Sequence, residues 1–395
     1  MTTPRRIAVI TGTRAEYGLL APLMRILSAN DAFELKVIVT GTHLSERFGM
    51  TVNAIVQDGF GVDARVELPL DDDSPRGIVS AMAAAETGIA DALLQIQPDV
   101  VVVLGDRYEI LAAAKAAFVL GETIAHIHGG EVTEGAMDDG FRHAITKLSQ
   151  LHFVTAEPYR ARVIQLGEHP GRVFNVGAPG LDAIGQQPLR DRAALMAEFG
   201  WPADASFFLV TYHPVTMDAD AGVAELAQLL AALELFGEQR IAITGHNADR
   251  GHKQIGALLQ QYVSAHPDRI RISGSLGQRN YLSAMKYASA IVGNSSSGII
   301  EAPAMNVPTV NIGDRQKGRL RSASVIDCSG DKHTIVDALN RALSAEFRDV
   351  ATRVTSPYGT PGASRRIADV LETIPLAGLN RKSFYDLPLP EGMVR

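Results

Sequence analysis

The chain has 395 residues but only one cysteine, one tryptophan and 6% aromatic residues. A lone thiol, Cys328, cannot build an intramolecular disulfide framework, and it fits a reducing, cytoplasmic setting. It ends the strand-like run Ser324-Val325-Ile326-Asp327, so a buried structural thiol is expected there rather than a nucleophile. No uninterrupted apolar run approaches the roughly 18 residues of a membrane span. Met1-Thr2-Thr3-Pro4-Arg5-Arg6 leads into a strand without the apolar core of a secretory signal. Excess positive charge is missing too: the net charge is −7, with Lys and Arg scattered. Neither nucleic acid nor a membrane is therefore expected as a partner. Two nucleotide signatures are also absent. The first strand is not followed by G-x-G-x-x-G, and G-x-x-x-x-G-K-[ST] does not occur, which removes the best support for hydride transfer and P-loop hydrolysis.

What is present is an ordinary globular balance, 46% apolar and 21% charged, in a chain long enough for two cores. Short β-branched runs alternate with alanine- and leucine-rich helical patterns. The predicted strands are Ile7–Thr11, Leu35–Thr40, Val100–Leu104, Ile124–His128, His152–Thr155 and Val173–Val176. A second series follows at Phe207–Thr211, Ile241–Thr244, Ile270–Ser273, Ala290–Val292, Thr309–Ile312 and Val325–Cys328. Continuous apolar strands separated by helices predict parallel sheets covered on both faces, joined by right-handed crossovers. The fold class is thus α/β, with two Rossmann-like doubly wound domains facing a cleft. The expected divisions are 1–178, 179–362, a C-terminal helix in 363–379 that packs back on the first domain, and a loose tail at 380–395. The Gly/Pro-rich passage Gly177-Ala178-Pro179-Gly180 marks the linker.

In such sheets ligands collect beyond the strand carboxyl ends, so the loops there carry the chemistry. Gly293-Asn294-Ser295-Ser296-Ser297-Gly298-Ile299-Ile300-Glu301 joins a buried strand to a helical segment. Free N–H groups, serine hydroxyls and a helix N-terminus there can hold a phosphate, and Glu301, about one turn on, can accept hydrogen bonds from sugar hydroxyls. The same stretch also reads as a serine-rich turn that merely caps a helix. In the first half, Arg14 of Gly12-Thr13-Arg14 can bind a phosphate with two hydrogen bonds, or pair with Glu16 on the surface. Asp106 of Gly105-Asp106-Arg107 is either a helix N-cap or an acid–base group. His126-Ile127-His128-Gly129-Gly130-Glu131 follows, with both histidines on one strand face. H-x-H with nearby carboxylates can hold zinc, but no further His or Cys stands at a ligand spacing, so no metal is expected. Asp138-Asp139-Gly140-Phe141-Arg142-His143 opens a helix in which Asp138 and Arg142, and Asp139 and His143, share faces as simple salt bridges. Glu131 and Asp138 could alternatively enter the same cleft as Asp106. His213, Asn247 and Arg315 lie at or just past strand ends of the second half.

In order and spacing, these motifs resemble the UDP-N-acetylglucosamine 2-epimerases, most closely the hydrolysing branch that serves sialic and related nonulosonic acid synthesis. The matching segments are Gly12-Thr13-Arg14, Gly105-Asp106-Arg107, His126 to Glu131, Asp138-Asp139-x-x-Arg142-His143-Ala144-Ile145-Thr146-Lys147, His213-Pro214 and Gly293 to Gly298. The resemblance implies a glycosyltransferase-B-type fold, a homodimer or dimer of dimers, and a UDP-sugar substrate with no cofactor. It implies Asp106, Glu131, Asp138, His128 and His213 as catalytic groups. Arg14, Arg107, His213, Asn247, Gly293, Ser295, Ser296, Glu301 and Arg315 would bind the UDP-sugar. Many relatives carry Glu at the position of His128, so the acid–base task of that Glu falls here to His128 or passes to Glu131.

The implied reaction removes a proton from sugar C2 while UDP leaves C1, then adds water at C1 and a proton at C2 from the other face. UDP-N-acetylglucosamine is the expected substrate. UDP-2,4-diacetamido-2,4,6-trideoxyglucose, reversible non-hydrolysing epimerisation and retaining glycosyl transfer are the alternatives, and a non-catalytic UDP-sugar sensor is the most distant one.

Overall fold

The computed structural model describes residues 3–72, 74–133, 137–186, 188–213, 222–244, 252–273 and 276–388. The described chain divides into two compact units. The first comprises 1–131, 136–182 and 361–395, and the second 132–135 and 183–360.

In the first unit seven parallel strands form one sheet: β1 (Arg5–Thr11), β2 (Phe33–Thr40), β3 (Ala64–Val66), β4 (Val100–Leu104), β5 (Ile124–Ile127), β6 (Leu151–Val154) and β7 (Val173–Asn175). Their order is β3-β2-β1-β4-β5-β6-β7, reversing direction between β1 and β4. Alternation along each strand feeds two separate cores. Ile7, Val9, Val100, Val102 and Leu104 pack with the helix Arg14–Ser28, whereas Ala8, Ile10, Val101 and Val103 pack with Pro75–Ile96 and Tyr108–Val119. Strands buried on both faces need apolar residues at every position, which is why Val100-Val101-Val102-Val103-Leu104 carries no polar residue.

The helix Pro75–Ile96 has 22 residues and a mean hydropathy of 1.3 over its most apolar window, long and apolar enough to cross a membrane by length and composition. Here its Ala85, Ile89, Ala92 and Leu93 form a stripe in the second of these cores.

The second unit repeats the plan with β8 (Phe207–Thr211), β9 (Arg240–Thr244), β10 (Ile270–Ser273), β11 (Ala290–Gly293), β12 (Thr309–Ile312) and β13 (Val325–Cys328). All pairs are parallel, and the order β10-β9-β8-β11-β12-β13 reverses between β8 and β11. Cys328 ends β13, where burial pushes its thiol up to about 12. It is the weakly acidic group of a packed strand, not a thiolate.

The chain finally returns to the first unit. Helix Ala363–Thr373 lays Ile367, Ala368 and Leu371 into the core lined by Leu20, Leu23 and Leu27. Its N-terminus has no side-chain cap of its own, and Asp182 supplies one from 180 residues earlier in the chain. The buried Asp182 carboxylate accepts from the backbone N–H groups of Gly362, Ala363 and Ser364 at 2.5, 2.9 and 2.7 Å. Arg5 donates to the carbonyls of Leu371 and Ile374 at the other end.

The expected loose tail is not loose as far as residue 388. Lys382 donates to Ser149 O and to buried Glu168, Tyr385 N–H donates to Gly167 O, and Phe384 lies against Gly167 and under the Lys147 ammonium. Although burial pushes Glu168 up, bonds from His152, Lys147 and Lys382 hold it down at about 2. A buried carboxylate with these partners outweighs the turn-forming composition around it. Asp182→Ala removes three charge-assisted bonds at once, so it should destabilise the first unit by about 3 kcal/mol. Urea titration followed by a probe on helix Ala363–Thr373 measures this; an unchanged midpoint would rule out the capping role.

Candidate active site

Both sheets reverse direction at a pair of adjacent strands, β1/β4 and β8/β11, and the loops leaving those strands hold most of the expected residues. In the first unit Thr13 caps the helix Arg14–Ser28 in a capping box with Glu16. Arg14 opens that helix with an exposed side chain. Glu16 does not pair with it but turns inward, accepting from Gly12 N and Thr13 N at 2.7 and 3.2 Å. Burial, and then the charge of nearby Glu109, push Glu16 up to about 8 against the pull of Arg107. Arg107, the N-cap residue of helix Tyr108–Val119, donates to Glu109 at 2.6 Å. Neither buried glutamate was expected.

Asp106 is not the cap of that helix. Its carboxylate is ion-paired with Arg142, whose side chain is only 3% exposed, so the arginine expected to pair across a helix surface is interior. The same guanidinium donates to the carbonyl of Glu131 at 2.9 Å and to Asp139 at 3.3 Å. Asp139 also lies 3.5 Å from His143. Asp138 stands in the first turn of helix Met137–Leu148 with an exposed side chain. Lys147, at the end of that helix, turns away to Glu168 at 2.6 Å.

The two histidines of β5 part company. His126 is fully buried, with Nε2 2.8 Å from Gly105 O and Nδ1 3.2 Å from the Thr146 hydroxyl. Burial lowers its pKa to about 3, so it is a neutral strand-to-loop tie. Strand β5 was expected to reach His128 but stops at Ile127, because His128 adopts a left-handed φ of 70° that breaks the alternation. His128 Nδ1 lies 2.6 Å from Glu131 Oε1, and the Thr155 hydroxyl donates to the same oxygen at 3.0 Å. Glu131 is 2% exposed. Gly130 allows this fold-back: at φ 78°, a Cβ there would meet Tyr159 O at 2.5 Å.

In the second unit Gly293 must be glycine, since a Cβ at its φ of 128° would stand 2.1 Å from Thr211 O. Asn294 follows, fully buried, and staples the two strand ends. Its Oδ1 accepts from His213 N at 2.7 Å, and its Nδ2 donates to His213 O at 2.9 Å. Arg315 and buried Gln316 both donate to Asn294 O, at 3.1 and 2.9 Å. Ser295 and Ser297 share a hydroxyl bond of 3.0 Å, Tyr281 reaches Ser297, and Ser296 is the N-cap residue of helix Ser297–Ala304 without bonding it through its side chain. Glu301 stands half-buried in that helix. The loop is therefore a helix start lined by hydroxyls, with Ser295 Oγ accepting from Ser297 N at 3.4 Å, and its serines and dipole suit an anion. His213, Arg315, Gly293, Ser295 and Ser296 gather at this loop; Asn247 lies outside the described residues.

Two doubly wound parallel sheets, each with its polar groups gathered where strand order reverses, define an α/β enzyme of the nucleotide-binding type. Residues 25–372 match the family model of UDP-N-acetylglucosamine 2-epimerase, and the chain belongs to that family. Its relatives place it in the hydrolysing branch. It is 35% identical to the GDP/UDP-N,N'-diacetylbacillosamine 2-epimerase (hydrolyzing) of Campylobacter jejuni, covering 97% of this chain and 99% of that one. With the UDP-N,N'-diacetylbacillosamine 2-epimerase (hydrolyzing) of Legionella pneumophila the identity is 36%, over 96% and 100%. With a UDP-N-acetylglucosamine 2-epimerase of Neisseria meningitidis it is 33%, over 98% and 100%. The crystal structure of a Neisseria meningitidis UDP-GlcNAc 2-epimerase bound to UDP-GlcNAc is similar with a TM-score of 0.79, at 18% identity over 93% of this chain and 99% of that one. At that identity the likeness concerns the fold.

From the ordinary glutamate range up to about pH 8, folded Glu16 keeps a proton that the unfolded chain has lost. Its contribution to stability therefore falls as pH rises through that window. Glu16→Gln should flatten the pH dependence of the thermal midpoint relative to the wild type between pH 5 and 8; parallel curves would contradict the buried, protonated state.

Proposed function

We propose that the chain is a hydrolysing 2-epimerase of a UDP-linked 2-acetamido sugar, and that the sugar is 2,4-diacetamido-2,4,6-trideoxyglucose. The substrate choice is supported by the Campylobacter and Legionella relatives, each matched over nearly its whole length. UDP-N-acetylglucosamine is the second reading, supported by the Neisseria relative. The observation that carries the reaction type is the pairing, on neighbouring strand ends, of a carboxylate and an imidazole. Asp106 follows β4 and His128 follows β5, with Arg142 bonded both to Asp106 and to the main chain of Glu131.

Inversion at C2 by elimination and addition needs two proton-transfer groups. In the elimination a base takes the C2 hydrogen as a proton, the C–H pair becomes the C1–C2 double bond, and the C1–O bond breaks with its electrons leaving on UDP. In the addition the oxygen of water bonds to C1 and sheds a proton, while an acid delivers a proton to C2 on the opposite face. Asp106, His128 and Asp138 are the proposed proton-transfer groups, and Glu131 acts through His128. Gly293, Ser295 and Ser296 bind the diphosphate through N–H and hydroxyl groups, offsetting the charge that develops on the leaving group. Arg14, Arg107, His213, Asn247 and Arg315 are the proposed polar and cationic contacts to UDP, and Glu301 the ribose acceptor. No redox step occurs, so no cofactor is proposed.

Incubation with each UDP-sugar in deuterated water, followed by NMR, tests this. Free UDP and a C2-deuterated, C2-inverted sugar are expected, with the higher kcat/KM for the diacetamido substrate. A product still linked to UDP would remove hydrolysis, and transfer to an acceptor would remove epimerisation. Asp106→Asn should lower kcat by about 10²- to 10⁴-fold while leaving UDP affinity within a few-fold. Loss of UDP binding instead would make Asp106 a binding group.

A further inference from the structure

We infer that Thr155, Glu131 and His128 form a hydrogen-bonded relay that fixes the tautomer of His128 and presents its Nε2 as a proton-transfer group, with Glu131 and Thr155 as positioning residues. The inference rests on the epimerase reading for its reaction, but the relay itself is a statement about geometry.

Two adjacent strands contribute. His128 follows β5, Thr155 follows β6, and Glu131 closes the loop between them. Glu131 is 2% exposed, a carboxylate there can only accept, and the Thr155 hydroxyl and His128 Nδ1 both lie against its Oε1. Thr155 Oγ1, itself 1% exposed, donates at 3.0 Å, and His128 Nδ1 lies at 2.6 Å. Thus Nδ1 carries the hydrogen, and the neutral ring has its lone pair on Nε2. That atom is buried and has no hydrogen-bond partner among the described residues. Burying a bare acceptor costs free energy that the fold recovers only when something binds there.

The backbone supports the same conclusion. His128 is held at φ 70°, a left-handed conformation uncommon outside glycine, and the surrounding bonds hold it there. Its N–H donates to Phe153 O at 3.0 Å, while Gly105 N–H donates to Ile127 O at 3.0 Å. The imidazole is thereby tied to the strand end that carries Asp106. When Nε2 takes a proton, the imidazolium charge lies against Glu131; when it gives the proton up, the Nδ1–H tautomer returns. Glu131 keeps its charge throughout, as an orienting carboxylate does for a catalytic imidazole.

His126, three residues before Gly129, shows what a structural histidine looks like in the same strand. Both of its nitrogens are bonded, to Gly105 O and Thr146 Oγ1. His128 has one nitrogen bonded by a relay and the other bare. The difference sets a proton-transfer group apart from a strand tie.

The test uses the full chain labelled with ¹⁵N at histidine. His128, assigned by the signal lost in His128→Gln, is expected as the Nδ1–H tautomer, and Glu131→Ala should move it toward Nε2–H. An Nε2–H tautomer in the wild type, or an unchanged one in Glu131→Ala, overturns the relay. Turnover supplies the second readout. Thr155→Val and Glu131→Gln are expected to lower kcat by about 5-fold and about 50-fold with KM within about twofold. His128→Glu should keep measurable turnover where His128→Gln has none. Effects on KM alone, or equal loss in both His128 variants, would make the three residues merely structural. If Glu131→Ala does not fold, the Thr155→Val and Glu131→Gln kinetics carry the comparison. Should the wild type release UDP from no sugar, the epimerase reading fails while the tautomer still decides the relay.

Discussion

Arg142 is a cation almost cut off from water, and a buried guanidinium is tolerable only when its donors are used. Its partners are Asp106 after β4, the carbonyl of Glu131 after β5, and Asp139 one turn before it on its own helix. Satisfying one charge therefore fixes the relative positions of the loop after β4, the loop after β5 and the helix Met137–Leu148. The loop from His128 to Glu131 cannot shift without stranding a donor, and the helix Met137–Leu148 cannot slide without breaking the pair with Asp106. The conformation of His128, costly on its own, is held within this frame.

The second unit solves the same problem with a neutral group. Asn294 bridges the ends of β8 and β11 through an amide that both donates and accepts, and its own carbonyl gathers Arg315 and Gln316. An amide has no proton to lose near neutrality. The serine loop thus keeps its shape across pH, while the first unit is organised by ionisable side chains. In the proposed reaction this division matches the tasks: a leaving group is held in one unit, and protons move in the other.

Among the described residues, twelve of the thirteen strands were legible because both-face burial leaves uninterrupted β-branched runs, and Val100 to Leu104 is such a run. The missed one, Ala64-Arg65-Val66, is a three-residue edge with an exposed arginine, too short for any period to show. That the candidate loops leave strand ends was legible for the same reason as the strands. The direction of their side chains was not. Helical spacing puts Asp138 and Arg142 on one face, but nothing local says that Arg142 is interior, because Asp106 is 36 residues away. Glu16 read as a surface partner of Arg14. The pattern Thr13-x-x-Glu16 did carry the capping-box signal, which could have turned Glu16 inward. The tail around Phe384 gave no signal, since its anchor is Gly167, a glycine whose open face only the fold creates.

Asp182 and the helix it caps bear on how the protein is made. The first unit is complete only when Ala363–Thr373 has joined it, yet its sheet is finished at β7, near residue 175. At about 5–20 residues per second, a ribosome needs roughly 10–40 s to bridge that gap. During that interval the groove that receives Ile367, Ala368 and Leu371 is uncovered, and the Asp182 carboxylate lacks its three donors. The second unit emerges and can close in the meantime. Synthesis order and completion order are therefore reversed: the unit whose strands are made first is the one completed last.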